Sequence, residues 1–220
     1  MKKTVSLLAA SAIFICSLTS CANSKTIVGK WEMKDQIDTD IQVGGLEFKD
    51  NGKGSMYMDT TSILHADGKK IQVGAGDQGF VFDEQYITYD KKNLEINISD
   101  QDMLTLERVS GEGSDESYDG EYKLLSGILY DTIVSGLTND PEKDKDVNVL
   151  ISLDGNTSEV TFVDIFDYKT SKGRLELSGY ASFIGESSDG KPVSADYEIN
   201  GDVLKVKSDS GETEELVRIK

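Results

Sequence analysis

The chain has few of the residues that usually carry metal or acid–base chemistry. Its 220 residues include two cysteines, one histidine, two prolines and one tryptophan. Both cysteines, Cys16 and Cys21, lie near the N-terminus, so the remaining sequence holds no disulfide, zinc cluster or thiol nucleophile. A single histidine, His65, leaves most metal and triad chemistry without its usual residues. We therefore predict that the protein is not an enzyme and has no catalytic residues, metal or cofactor.

The chain is also poor in positive charge. It carries 23 Lys and Arg against 40 Asp and Glu, which gives a net charge of −17 and a pI of about 4.4. Nucleic-acid binding needs clustered Lys and Arg to neutralise phosphates, so we predict no nucleic-acid partner. An anionic membrane surface would repel this acidic protein, so any membrane attachment has to be apolar. The acidity itself is typical of a solvated, soluble surface.

The N-terminus has the pattern of such an attachment. A basic start, Met1–Lys3, precedes an apolar run, Val5–Leu18, that is too short to span a bilayer comfortably. Leu18-Thr19-Ser20-Cys21 then resembles a bacterial lipobox. The resemblance implies a lipoprotein signal peptide at 1–21 and more than one acyl chain on Cys21, which would anchor the protein stably. We expect a cell-envelope lipoprotein on the extracytoplasmic face of the cell membrane, or on the outer membrane if the host has one; the alternative is an ordinary secretory peptide.

The rest of the chain alternates apolar and polar residues in short runs. Leu46–Lys49 and Leu94–Ile98 follow this period of two, and turn signals such as Asn51-Gly52 separate the runs. Such spacing predicts an all-β fold built from antiparallel barrels or sandwiches. The apolar residues within Ile128–Leu137 fall instead at helical spacing, which predicts one short helix in the second half.

An internal repeat organises these runs. Gly29-Lys30-Trp31-Glu32-Met33 returns as Gly120-Glu121-Tyr122-Lys123-Leu124, and each segment ends on a strand-like run that contains an arginine, Arg108 or Arg218. The residues between the segments are only Gly, Ser, Asp and Glu, which is typical of a linker. The predicted parts are a first β-domain at 25–110, a linker at 111–117 and a second β-domain at 118–220.

The Gly-x-Trp motif on a first strand and the arginine on a last strand resemble the small bacterial lipocalin-like domains. In that family the tryptophan closes one end of a barrel, and the arginine packs across its indole, where a guanidinium stacks well. The resemblance implies two tandem lipocalin-like barrels, with Trp31 against Arg108 and Gly29 allowing close packing. Tyr122, which stands where the family has tryptophan, and Arg218 hold the matching positions of the second barrel. These residues are expected to close the barrels, not to bind a ligand.

A small eight-stranded barrel is just wide enough to be filled by side chains or to hold one small ligand. The residues expected to face a ligand or to fill the core are Met33, Phe48, Met56, Met58, Phe80 and Phe82. We predict a lipid-anchored extracytoplasmic binding protein that takes a small apolar ligand or an envelope protein. The alternative is a structural or interaction lipoprotein with filled barrels and no small-molecule ligand.

Two motif-like stretches have plainer explanations. Gly74–Gly79 fits the dinucleotide-binding pattern G-x-G-x-x-G, but a strand follows it where that motif needs a helix. The acidic run Asp140–Asp146 lacks the glycine and the glutamate that an EF-hand loop requires. We interpret both as loops.

Overall fold

The computed structural model describes residues 26–34, 42–74, 79–134, 147–179 and 192–219, and within them the fold is all-β, as predicted. The strands before the predicted linker are β1 (Gly29–Met33), β2 (Gln42–Phe48), β3 (Lys53–Asp59), β4 (Leu64–Asp67), β5 (Lys70–Val73), β6 (Phe80–Phe82), β7 (Ile87–Tyr89), β8 (Asn93–Ile98) and β9 (Gln101–Ser110). The elements after it are β10 (Gly120–Ser126), α1 (Ile128–Val134), β11 (Asn148–Asp154), β12 (Thr157–Ser171), β13 (Arg174–Gly179), β14 (Val193–Asn200), β15 (Val203–Ser208) and β16 (Thr213–Arg218).

The helix α1 confirms the prediction of one short helix in the second half. It follows β10 and packs against β9 and β10, with Val134 buried. It has seven residues. In the part of the chain that the structure describes, no helix has the length and apolar character needed to cross a membrane.

Thirteen strands form one antiparallel sheet, in the order β13-β14-β15-β16-β1-β2-β3-β12-β11-β10-β9-β8-β7. Because β12 also pairs with β13, part of this sheet closes on itself. We call the closed part the first ring; its eight strands are β1, β2, β3, β12, β13, β14, β15 and β16.

The first ring takes strands from both predicted domains. β1, β2 and β3 precede the linker, whereas the other five strands follow it. β1 lies between β2 and β16, with Trp31 opposite Arg218, so the expected packing of Trp31 on Arg108 is wrong. The strands of residues 25–110 therefore do not close into a barrel of their own, nor do those of 118–220. The physical reason is that β3, which precedes the predicted linker, pairs with β12, which follows it.

The remaining strands form what we call the second lobe, made of β4 to β11 with the first half of β12. β7 to β12 belong to the large sheet, and β4, β5 and β6 form a separate sheet whose first strand packs against β11 and β12. The backbone N–H of Thr60 donates to the Ser158 carbonyl at 3.0 Å, and the Ser158 hydroxyl donates to the Leu64 carbonyl. These bonds attach the three-stranded sheet to the strand that both parts share.

β12 is the strand that passes from the second lobe into the first ring. It runs for 15 residues, and no Gly, Pro or Asn interrupts it. Between Phe162 and Phe166 the register with β3 shifts, and Asp164 adopts a φ of 55° there. The Asp164 N–H donates to Ser55 Oγ at 3.1 Å, and the Asp164 carboxylate pairs with Lys49 at 2.7 Å. The bulge thus marks the crossing, and the β2–β3 hairpin holds it through Ser55 and Lys49.

Both parts share one hydrophobic core, because the apolar face of the large sheet continues from the first ring into the second lobe. The alternation predicted from the sequence produces this face, since residues at every second position of a strand point the same way. Large side chains that are fully buried in the core are Trp31, Leu46, Phe48, Leu94, Ile96, Leu104, Leu106, Tyr122, Leu124, Phe162 and Phe166.

Candidate functional site

In the first ring, β1 and β16, which are the first and last strands in chain order, pair with each other. Trp31 is 0% exposed, and the guanidinium carbon of Arg218 lies 4.0 Å from the centre of the indole ring. Arg218 also donates to the carbonyls of Thr26 and Val28 at 2.6 and 2.8 Å, and Trp31 Nε1 donates to the Ile27 carbonyl at 2.7 Å. We call this set of contacts the first closure. The guanidinium is stacked on the indole and bonded to two carbonyls through its Nη atoms, and its Nε is buried, so we interpret the contacts as structural.

Gly29 makes room for the arginine. Its φ is 134°, and a Cβ built on it would lie 2.6 Å from Arg218 Nη1. A side chain at this position would therefore collide with the guanidinium and would also strain the backbone. The glycine of the Gly-x-Trp motif is thus explained by the arginine that crosses over it.

A corresponding set of contacts, the second closure, lies in the second lobe. Arg108 stacks on the ring of Tyr122, with its guanidinium carbon 4.6 Å from the ring centre, and donates to the Asp119 carbonyl at 2.9 Å. The Tyr122 hydroxyl donates to the Tyr118 carbonyl at 2.7 Å, four residues back, as Trp31 does to Ile27. A Cβ on Gly120 would lie 1.9 Å from Arg108 Nη1. Burial raises the pKa of Tyr122, and the nearby Arg108 opposes that effect only in part.

An open depression of about 380 Å³ lies beside the second closure. Its cations are already engaged: Lys91 pairs with Asp115 at 2.7 Å, and Lys92 pairs with Glu107 at 2.9 Å. All three guanidinium nitrogens of Arg108 donate to protein oxygens. In this shallow depression both lysines are therefore ion-paired within the chain, and the Arg108 nitrogens are bonded to neutral oxygens of the chain. Its lining residues are Asp90, Lys91, Lys92, Arg108, Val109, Ser110, Gly111 and Gly113.

The six residues predicted to face a ligand or fill the core do not meet at one place. Phe48 is buried in the first ring. Its aromatic ring packs edge to face on those of Phe166 and Tyr168, with ring centres 5.6 and 5.0 Å apart. Met33, Met56 and Met58 are half-buried against the core, and Phe82 is buried in the second lobe. Phe80 is 71% exposed.

Phe80 is one of three exposed apolar residues on or near β6, Phe80, Val81 and Tyr86, which we call the β6 patch. Val81 and Tyr86 are 55% and 41% exposed. β6 is an outer strand of its sheet and pairs only with β5 among the described residues. Exposed apolar side chains on an unpaired strand edge are features that proteins usually avoid unless a partner covers them.

Sequence reasoning missed a polar cluster on the outer face of the first ring. The ring of Tyr57 lies against Gly44 and Gly45, and its hydroxyl donates to the Trp31 carbonyl at 3.0 Å. Lys30 Nζ lies 3.9 Å from the centre of the Tyr57 ring and pairs with Glu159 at 2.9 Å. Burial, followed by the charge of the nearby Glu32, raises the pKa of Tyr57. The signal in the sequence was the Gly-Gly pair inside a strand, which indicates close approach by another group.

The residues considered for metal binding or lipidation are His65, Cys21 and the acidic run Asp140–Asp146. His65 is half-buried, and its Nδ1 lies 3.0 Å from the Thr61 carbonyl oxygen. Within the described ranges, no group of three or more His, Cys, Asp or Glu side chains is placed to hold a metal ion. Cys21 and the acidic run Asp140–Asp146 lie outside the described residues.

Comparison of the chain with protein-family models, with curated proteins and with solved structures gives no significant match.

Which arginine stacks on Trp31 can be tested by measuring the energetic coupling between Trp31 and each arginine. In a double-mutant cycle with Trp31→Leu and Arg218→Ala, we expect a coupling of about 1 kcal/mol in the free energy of unfolding, because the two side chains stack. The matched cycle of Trp31→Leu with Arg108→Ala should give additive effects within about 0.5 kcal/mol, since these residues belong to different closures. Urea unfolding measures both. Coupling of Trp31 to Arg108 instead would contradict the strand order.

Proposed function

We propose that the protein is a lipoprotein of the bacterial cell envelope, anchored through Cys21, that binds a macromolecular partner on its outer surface. The observation that carries this proposal is the filled interior of both parts. It favours an interaction protein over a carrier of small ligands. The anchor itself rests on the lipobox and on an acidic composition that leaves only apolar attachment to a membrane.

The interior of the first ring is occupied by side chains. Trp31 and Phe48 fill one end with Phe166, and aliphatic residues from the remaining strands are almost completely inaccessible to solvent. An eight-stranded ring has room for its own side chains or for a small ligand, but not for both. The aliphatic side chains concerned are Leu46, Leu175, Leu177, Leu204, Val206 and Leu216.

The β6 patch is the surface that suits a partner best. Phe80 and Val81 belong to an outer strand, and the Tyr86 ring packs edge to face on buried Phe82 at 6.0 Å. A strand edge offers backbone N–H and C=O groups to an extended segment of another protein, and exposed side chains beside it add specificity. We place the partner contact here.

The two closures support a further part of the proposal, a common origin of the two halves. Each closure has a glycine, an aromatic residue two positions later and an arginine from the partner strand. In both, the aromatic side chain donates to the carbonyl four residues back. We propose that this arrangement is a tandem, lipocalin-like one in which the halves have exchanged strands.

The anchor is tested by two substitutions in the leader. Cys21→Ser removes the only thiol at the lipobox, so we expect the protein to leave the membrane fraction. Cys16→Ser is the matched control because it changes the other cysteine and spares the lipobox, and it should leave membrane attachment intact. Fractionation of cells followed by immunoblotting measures both. Tight attachment of the Cys21→Ser protein would refute the lipid anchor.

The filled interior is tested by native mass spectrometry of the chain that starts at Ala22, purified gently from its own host. We expect the mass of the bare polypeptide, since the buried side chains leave no room for a ligand. A reproducible added mass that disappears on denaturation would contradict the filled interior and indicate a carrier of a small ligand.

The β6 patch is tested by placing a photoreactive amino acid at Val81 in cells of the host. We expect a discrete cross-linked product, because this side chain is exposed on an outer strand of its sheet. Val109 is a control of the same residue type and similar exposure, 46% against 55%, outside the patch. Equal products at both positions, or none at Val81, would argue against a partner at this strand.

A further inference from the structure

We propose that the exchange of strands holds the C-terminal half of the molecule to the N-terminal half through non-covalent contacts. Cutting the 111–117 segment therefore does not release the C-terminal half from the membrane. The inference rests on the proposed anchor at Cys21 for its membrane readout. Its structural basis is independent of the anchor.

Among the described strands, three pairs join the two halves. β1 pairs with β16, β3 pairs with β12, and β9 pairs with β10. Each pair has one strand before residue 111 and one strand after 117. A chain cut between them keeps every one of these hydrogen-bonded ladders, together with the core that both halves build.

The first closure adds a contact between the two ends of the chain. Arg218 donates to the carbonyls of Thr26 and Val28, which come shortly after Cys21 in the sequence. The Ile219 N–H donates to the Lys30 carbonyl at 2.9 Å, and the Lys34 N–H donates to the Glu215 carbonyl at 3.0 Å. The last strand therefore holds the strand nearest the anchor.

The connecting segment is suited to being cut. Gly111 and Glu112 are exposed, and nothing lies within 4 Å of a Cβ built on Gly111. An exposed segment of small and acidic residues is a typical site of proteolysis. Because no β-strand ladder runs through it, cleavage there removes a covalent link and little else.

The experiment uses the full chain with the recognition site of a sequence-specific protease inserted between Gly111 and Glu112. Membranes carrying this protein are treated with the protease, pelleted and probed for both fragments. We expect both fragments in the pellet, and we expect urea to release the C-terminal fragment while the acylated fragment stays. Release of the C-terminal fragment alone without denaturant would overturn the proposal.

The outcomes separate this inference from the anchor. Both fragments in the supernatant would refute the anchor at Cys21, and size-exclusion chromatography of that supernatant would then decide the inference. Co-elution of the fragments supports the exchange, whereas separate elution overturns it. A second insertion, between Asp115 and Glu116, is used if the first chain does not fold. It disturbs exposed contacts, namely the ion pair of Asp115 with Lys91 and the bond from the Glu116 N–H to Ser114 Oγ at 3.0 Å.

A pair of substitutions tests whether the first closure contributes to retention. Arg218→Ala in the cut chain should lower the urea concentration at which the C-terminal fragment leaves the membrane, because its stacking and carbonyl bonds are lost. Arg174→Ala removes an arginine of the same fragment that makes only surface ion pairs with Asp196 and Asp209. It should leave that concentration nearly unchanged. Equal shifts for both variants would mean that the first closure makes no specific contribution to retention.

Discussion

The antiparallel pairing of β3 with β12 is the interaction on which the rest of the architecture depends. It joins a strand of the first half to a strand of the second, and it extends the apolar face of one sheet across both parts of the molecule. β12 can serve both parts because it is long and uninterrupted. The bulge at Asp164 lets it change partners without ending, since the inserted residues take up the change in register that an unbroken ladder would not allow.

The closures show how a small ring is sealed without a large residue at every position. In each, a guanidinium lies over an aromatic ring while its N–H groups donate to backbone carbonyls, so the charge is both stacked and hydrogen-bonded. The glycine follows from this geometry, because a Cβ at Gly29 or Gly120 would occupy the position of the arginine. The aromatic residue can be Trp or Tyr, since either presents a ring face and one donor.

Much of the fold was predictable from the sequence, but the pairing of its strands was not. Alternating residues identified the all-β class and the buried faces, and helical spacing identified α1. Trp31, however, has two equivalent arginines available, Arg108 and Arg218, and no local pattern distinguishes them. The distinguishing signal was the lack of any Gly, Pro or Asn within β12. The exposure of Phe80 was likewise hidden, because a sequence gives the face of a residue but not whether anything covers it.

The filled interior and the shared core have a common consequence for where function can lie. A carrier needs an interior that can open, but here the residues that would have to move are the same ones that join the two halves. Opening the first ring at β1 and β16 would break the first closure and expose Trp31, which costs roughly the burial energy of a large aromatic side chain. The proposed recognition on the outer surface, at β6, which pairs on one side among the described strands, needs no such change. The strand pairs that join the two halves therefore oppose opening of the interior, and the proposed partner contact at β6 would leave them unchanged.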